Sequence, residues 1–204
     1  MYYAIGAPGS RLTRVTWMLE ELGQSYIITL HAQFSEEMRR YNPSGKGPVL
    51  LDGELAVMDS AGICAYLADA FPEAGLAPSP SQRAAYYRWL FFGAGPMETA
   101  LSLSGCNFEP TPEQQVQLGY GTKERVLDTL ASALKGHRYI AGNVFSAADV
   151  YVGSYIGWSM QFGTIDKRPE FVAYWDNLKD RPAHQRVEAQ IAQMGPPPDP
   201  QSAA

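Results

Sequence analysis

Three short stretches of this chain concentrate residues able to do chemistry. In Ser44-Gly45-Lys46-Gly47-Pro48 a lysine stands two residues ahead of a proline that opens an apolar run. In Asp59-Ser60 an acid and a hydroxyl precede Ile63, Tyr66, Leu67 and Ala70, apolar positions at helical spacing. In Gly9-Ser10-Arg11-Leu12-Thr13 a hydroxyl lies in a turn ahead of another helical pattern. A proline at the head of a strand gives up a ladder donor, so Pro48 belongs at an edge or a sharp entry, where a cis bond fits. The start of the helix behind Ser60 exposes unpaired N–H groups and partial positive charge, which suit a carboxylate. The two together predict a small anionic ligand between Pro48 and Ser60. Ser10 has the position of a helix cap.

Other chemistries lack their residues. His31, His137 and His184 have no metal-ligand spacing, and no G-x-S-x-G nucleophile elbow occurs. The run Ser44–Gly47 lacks both the earlier glycine and the hydroxyl after lysine that a phosphate loop needs. Cys64 and Cys106 form no C-x-x-C pair and are expected as free thiols in a reducing compartment, with the cytoplasm as the default location. A net charge of −5 without a basic block argues against nucleic acid, and no apolar run approaches bilayer length.

The elements that must hold these residues follow from periodicity. Tyr2–Ile5 and Tyr26–Leu30 predict strands, with a helix between them on Leu12, Val15, Leu19 and Leu22 that Gly23 stops. Residues 32–42 are polar and predict at most one irregular helix. Asp52-Gly53 joins Val49–Leu51 to Leu55–Met58 as a hairpin, and a helix begins at Asp59-Ser60. The order β-α-β-α-β-β-α is thioredoxin-like and needs a right-handed crossover between the first two strands. Phe71–Pro80 is rich in proline and glycine and reads as a linker. Beyond it only helices are expected: an aromatic one over Ser81–Leu103, bent at Gly93, Gly95 and Pro96, one from Thr111 to about Leu134, and one opened by Ser146 and Asp149. Small residues Gly153, Ser154 and Gly157 let neighbours approach that last helix closely. Two more short helices start at Pro169 and Pro182, and the proline-rich tail over 196–204 is expected to stay disordered. The expected organisation is an α/β thioredoxin-like domain over 1–75 and an all-α domain over 81–195.

Four segments in this order resemble a known family: P-G-S-R-L-T-R-V-T-W-M-L-E-E-L-G (8–23), N-P-S-G-K-G-P-V-L (42–50), D-S-A-G-I-C-A-Y-L (59–67) and F-S-A-A-D-V (145–150). The whole chain resembles the cytosolic glutathione S-transferases, specifically bacterial members with a serine-arginine pair after the first strand. The resemblance implies conjugation of the glutathione thiol to a hydrophobic electrophile, with glutathione as co-substrate and a homodimer as the assembly. It implies Ser10 as the hydroxyl that stabilises the thiolate, with Thr13 and Tyr3 as competitors. It assigns Asp59 and Ser60 to the γ-glutamyl end and Gly47-Pro48 to the cysteinyl backbone, in the manner of an added strand. Lys46 stands where the family reaches the glycyl carboxylate, although a solvated surface lysine is the alternative, and Gln33 is a further contributor. Valine or isoleucine usually precedes the proline, so Gly47 is a departure. The electrophile is expected between the two domains, near the aromatic helix, with Phe91, Met97, Tyr155 and Trp158 as the residues to inspect. Ser146 and Asp149 belong to the folding signature of the helical half. Peroxide reduction, dehalogenation, isomerisation and a non-catalytic binding module all remain open on the same site.

Overall fold

The computed structural model describes residues 1–7 and 9–194; the expected disordered tail lies outside the described residues. These residues group into two compact units, Met1–Leu76 with the stretch from Asp180 onward, and Ala77–Lys179. The last helix, which the sequence predicts within the helical half, groups instead with the first unit.

In the first unit, β1 (Tyr2–Gly6), α1 (Leu12–Glu21), β2 (Tyr26–Leu30), α2 (Glu36–Tyr41), β3 (Val49–Asp52), β4 (Leu55–Met58) and α3 (Ser60–Ala70) follow the predicted order. The sheet has the order β2-β1-β3-β4. β1 runs parallel to β2 and antiparallel to β3, which pairs with β4 across the Asp52-Gly53 hairpin. Side chains alternate faces along a strand. Ile5 pairs with Val49, and both pack with Met38 of α2 on one face, while Ala4 and Leu50 face the other way. The irregular segment is thus a real helix, short and polar except for Met38, and Ser35 caps it by accepting from the Met38 amide at 3.1 Å. α1 is buried almost all round, because β1, α3 and α10 (Pro182–Met194) all pack against it. Its expected narrow stripe therefore widens to include Arg14, Thr16, Trp17 and Met18.

The second unit holds α4 (Ala84–Phe92), α5 (Glu98–Gly105), α6 (Pro112–Gln117), α7 (Lys123–Leu134), α8 (Ala147–Gln161) and α9 (Pro169–Lys179). Between α4 and α5 a π-helical segment, Gly93–Met97 with Pro96 inside, makes the predicted bend. The single helix expected from Thr111 to Leu134 is two. It breaks over 118–121, where Gly121 has φ +71°, and restarts with Thr122 accepting from the Arg125 amide. Gly153 and Gly157 of α8 do admit a neighbour. A Cβ on them would lie 2.3 Å from Leu178 and 2.5 Å from Trp175 of α9.

Asp149 is fully buried at the first turn of α8. Its carboxylate accepts from the Ile140 amide (2.8 Å), the Ser146 amide and hydroxyl (2.9 and 3.0 Å) and the Tyr174 hydroxyl (2.8 Å). Burial pushes this carboxyl above its usual range, against the pull of those donors. Removing it would leave three separate parts of the unit with unsatisfied donors, each costing roughly 1–3 kcal/mol. Asp149→Ala is therefore expected to lose at least about 3 kcal/mol of unfolding free energy in urea, with Asp149→Asn intermediate. A loss below about 1 kcal/mol would show that the carboxylate is dispensable.

Candidate functional site

The Gly47–Pro48 peptide bond is cis, at the entry to β3 as the sequence predicts. Pro48 is buried, and Gly47 lies against the end of β1: a Cβ there would stand 3.3 Å from the Gly6 Cα and 3.1 Å from the Met38 methyl. The missing side chain therefore leaves no gap, since Met38 reaches up from α2 into the space. The Gly47 amide donates to Gln33 Oε1 at 3.1 Å. The loop before it is pinned by Asn42, whose side chain donates to the Lys46 carbonyl (2.7 Å) and accepts from the Ser44 amide (3.1 Å). Lys46 is exposed, with its ammonium 4.4 Å from the centre of the Phe34 ring.

Asp59 and Ser60 open α3, but they differ in kind. Asp59 is exposed and holds φ +63°, ψ 120°, a conformation an L-residue keeps only where its surroundings impose it. Its side chain makes no cap hydrogen bond, so the first amides of α3 stay available. Ser60 is buried, and the equally buried Arg14 donates to its hydroxyl at 3.4 Å. A guanidinium held out of water behind the start of a helix adds charge to the partial charge already there. No role was expected of Arg14. The signal for it was a lone arginine inside the apolar run Leu12–Leu19.

Ser10 is half-buried in the turn between β1 and α1. Its hydroxyl donates to the Ala7 carbonyl (2.6 Å) and accepts from the Leu12 amide (3.2 Å), so it satisfies one of the orphan donors of α1. The capping role is present. Thr13 lies half-buried one turn on, facing Ile191 and Met194 of α10, and Tyr3 lies on β1 between Ile27 and Leu51. Sequence distance is bridged twice: Gly6 against Gly47 brings the end of β1 to the cis-proline, and Arg14 against Ser60 ties α1 to α3. In the second unit, Met97 and Tyr155 are buried core, while Phe91 and Trp158 are exposed. Among the described residues no cluster of His, Cys, Asp or Glu could hold a metal ion. Cys64 is buried in α3 and its thiol is pushed up to about 12 by burial, despite Arg14 nearby; Cys106 is exposed.

A thioredoxin-like sheet with a cis-proline beside an open helix start, followed by a helical unit with a buried capping aspartate, defines a class. The glutathione S-transferase N-terminal domain model matches residues 5–75, and the C-terminal domain model matches residues 87–182. The chain belongs to the glutathione S-transferase family. It is 29% identical over 195 residues to glutathione S-transferase 1 of Zea mays, covering 87% of this chain and 91% of that one. A glutathione transferase of Methylococcus capsulatus superposes with a TM-score of 0.79 at 25% identity, over 95% of this chain and all of that one (100%). A sphingomonad glutathione S-transferase complexed with glutathione gives a TM-score of 0.76 at 26% identity, over 93% and 98% of the two chains.

Two measurements check this geometry. Gly47→Val forces methyls onto Met38 and the Gly6 backbone and should cost roughly 1–3 kcal/mol of stability. Met38→Ala should relieve that strain, giving a coupling above about 0.5 kcal/mol in a double-mutant cycle; strict additivity would mean that Met38 does not fill the space. In thiol titration of the native protein Cys106 should react at once, and Cys64 only after unfolding.

Proposed function

We propose that this protein transfers glutathione to hydrophobic electrophiles as a serine-type enzyme, with Ser10 facing the thiol. Lys46, Gly47, Pro48, Asp59 and Ser60 form the tripeptide platform, within a glutathione-binding domain over 1–75. The observation that carries the reading is the cis-proline turn standing against the end of β1, with Ser60 buried under Arg14 at the start of α3. The family membership and a relative complexed with glutathione support the same ligand here.

Each end of the tripeptide has a partner. The γ-glutamyl carboxylate meets the first amides of α3 and the Ser60 hydroxyl, with Arg14 behind them, while Asp59 faces the ammonium. The cysteinyl backbone pairs with Gly47, whose amide donates to the Gln33 side chain at 3.1 Å. Lys46 takes the glycyl carboxylate. A cytoplasmic homodimer fits this reading: two-fold pairs are the commonest assembly, and no helix among the described residues is long and apolar enough to cross a membrane.

The chemistry then turns on one proton. The Ser10 hydroxyl donates to the neutral Ala7 carbonyl and on this reading turns to the sulfur of glutathione. A neutral hydrogen bond contributes roughly 1 kcal/mol and one to a charged acceptor roughly 1.5–3, so the exchange is worth about one pKa unit on the thiol. Ser10→Ala should accordingly raise the apparent pKa in the pH profile of kcat/KM with an aryl halide by about one unit. The rate should fall about threefold at pH 7, and the deficit should close once the thiol is fully ionised. Ser60→Ala should instead raise the glutathione KM roughly tenfold and leave the pKa in place. Unchanged retention of Ser60→Ala on immobilised glutathione would sink the platform, and a pKa shift in Thr13→Ala alone would move the thiol to Thr13.

A further inference from the structure

α10 returns to the first unit and lies along α1 in the opposite direction. At its start Arg181 donates through Nε and Nη2 to the two Glu21 carboxylate oxygens at 2.6 and 2.7 Å. The same Glu21 oxygen accepts from Trp17 Nε1 at 2.9 Å, and the His184 ring stands edge-on to Trp17 at 4.5 Å. Glu21 is 9% exposed, so this bidentate pair is shielded from solvent and fixes geometry as well as charge. One turn on, Arg186 pairs with Glu20, which also accepts from the Tyr26 hydroxyl at 2.8 Å. Tyr26 lies 2.7 Å from the Gln190 side chain, so β2 joins the strap.

The other end of α10 meets the other end of α1. Ile191 and Met194 close over Ala7, Gly9, Leu12 and Thr13, leaving a cleft of about 10 Å³, room for one water at most. Ala7 supplies the carbonyl that holds the Ser10 hydroxyl, and Leu12 supplies the amide that the hydroxyl accepts. The side chains at the end of α10 thus back both groups that set where the Ser10 oxygen lies. We propose that α10 is the backstop of the Ser10 turn: Arg181 fixes its register along α1, and Ile191 and Met194 are positioning residues for the thiol-activating hydroxyl. This rests on Ser10 as the residue that faces the thiol.

The physical reason is positional. When the hydroxyl turns from the Ala7 carbonyl to the sulfur, its oxygen must stay within hydrogen-bond reach, and an unsupported turn moves away with the carbonyl it has released. Nothing on α10 lies among the residues of the glutathione platform, so its loss should act on activation and spare binding.

The test compares Ser10→Ala, the pair Ile191→Ala with Met194→Ala, the volume-keeping Met194→Leu, and Arg181→Lys, all in the full chain. Each is read as the pH profile of kcat/KM with an aryl halide, and as the glutathione KM. The alanine pair should raise the apparent thiol pKa by about half of the shift seen in Ser10→Ala, with the glutathione KM within twofold of the parent. Met194→Leu should restore the parental pKa. Arg181→Lys, which keeps the charge but not the bidentate fork, should give a smaller upward shift. A parental pKa in the alanine pair, with Ser10→Ala shifted, overturns the proposal and leaves the Ser10 reading standing. A rise in KM without a pKa shift overturns it as well. A flat response in Ser10→Ala removes the Ser10 reading, and this proposal with it.

Discussion

β1 and β3 end side by side, and at that point two glycines meet: any side chain on Gly47 would press on the Gly6 Cα and the Met38 methyl. The close approach follows from the register, since Ile5 with Val49 is the last pair of β1 with β3, and Gly6 and Gly47 lie just beyond it. It brings the cis-proline turn against the loop that leads into α1. A bulkier residue before Pro48 would need room, and here α2 has used that room for Met38. The packing of a short polar helix and the shape of a binding edge are therefore one problem.

α1 carries the consequences along its length. The turn before it holds Ser10, its first turn holds the buried Arg14, and its C-terminal end holds Glu20 and Glu21. Each faces a different neighbour: the end of β1, the start of α3, and α10. A ten-residue helix is only about 15 Å long, so all three neighbours pack within that length. The burial of nearly every α1 side chain is the price of serving three partners. It also places the buried Arg14 guanidinium against the Ser60 hydroxyl at the start of α3.

The sequence showed the order of the elements, the hairpin, the cis-proline entry and the helix start at Ser60, because each is written in local turn chemistry or short-range periodicity. The break between α6 and α7 was hidden, since Thr111-Pro112 marks a strong start for one helix expected to run to about Leu134. Asp149 was legible as a structural residue, but its bonds to Ile140 and Tyr174 span sequence separations that no pattern encodes. Arg14 looked like an ordinary member of a helix until α3 appeared beside it. The return of α10 to α1 was equally invisible, because the partners of Arg181 and Arg186, Glu21 and Glu20, lie 160 and 166 residues away in sequence.

A single hydroxyl, borrowed from a neutral carbonyl, is a weak device for activating a thiol, yet weakness suits the task. At pH 7 a thiol of pKa about 8.5 is about 3% ionised, and one of pKa about 7.5 about a quarter ionised. Intrinsic nucleophilicity falls with pKa on a Brønsted slope of about 0.4–0.5, so the first unit of depression yields roughly a threefold net gain in rate. A second unit yields almost nothing, because ionisation saturates while the sulfur continues to weaken. A stronger donor or an added cation at the sulfur would bind the thiolate more tightly without making it react faster. On the proposed role of Ser10, one hydroxyl proton supplies about one unit of depression, and the buried guanidinium lies at Ser60 rather than at the turn.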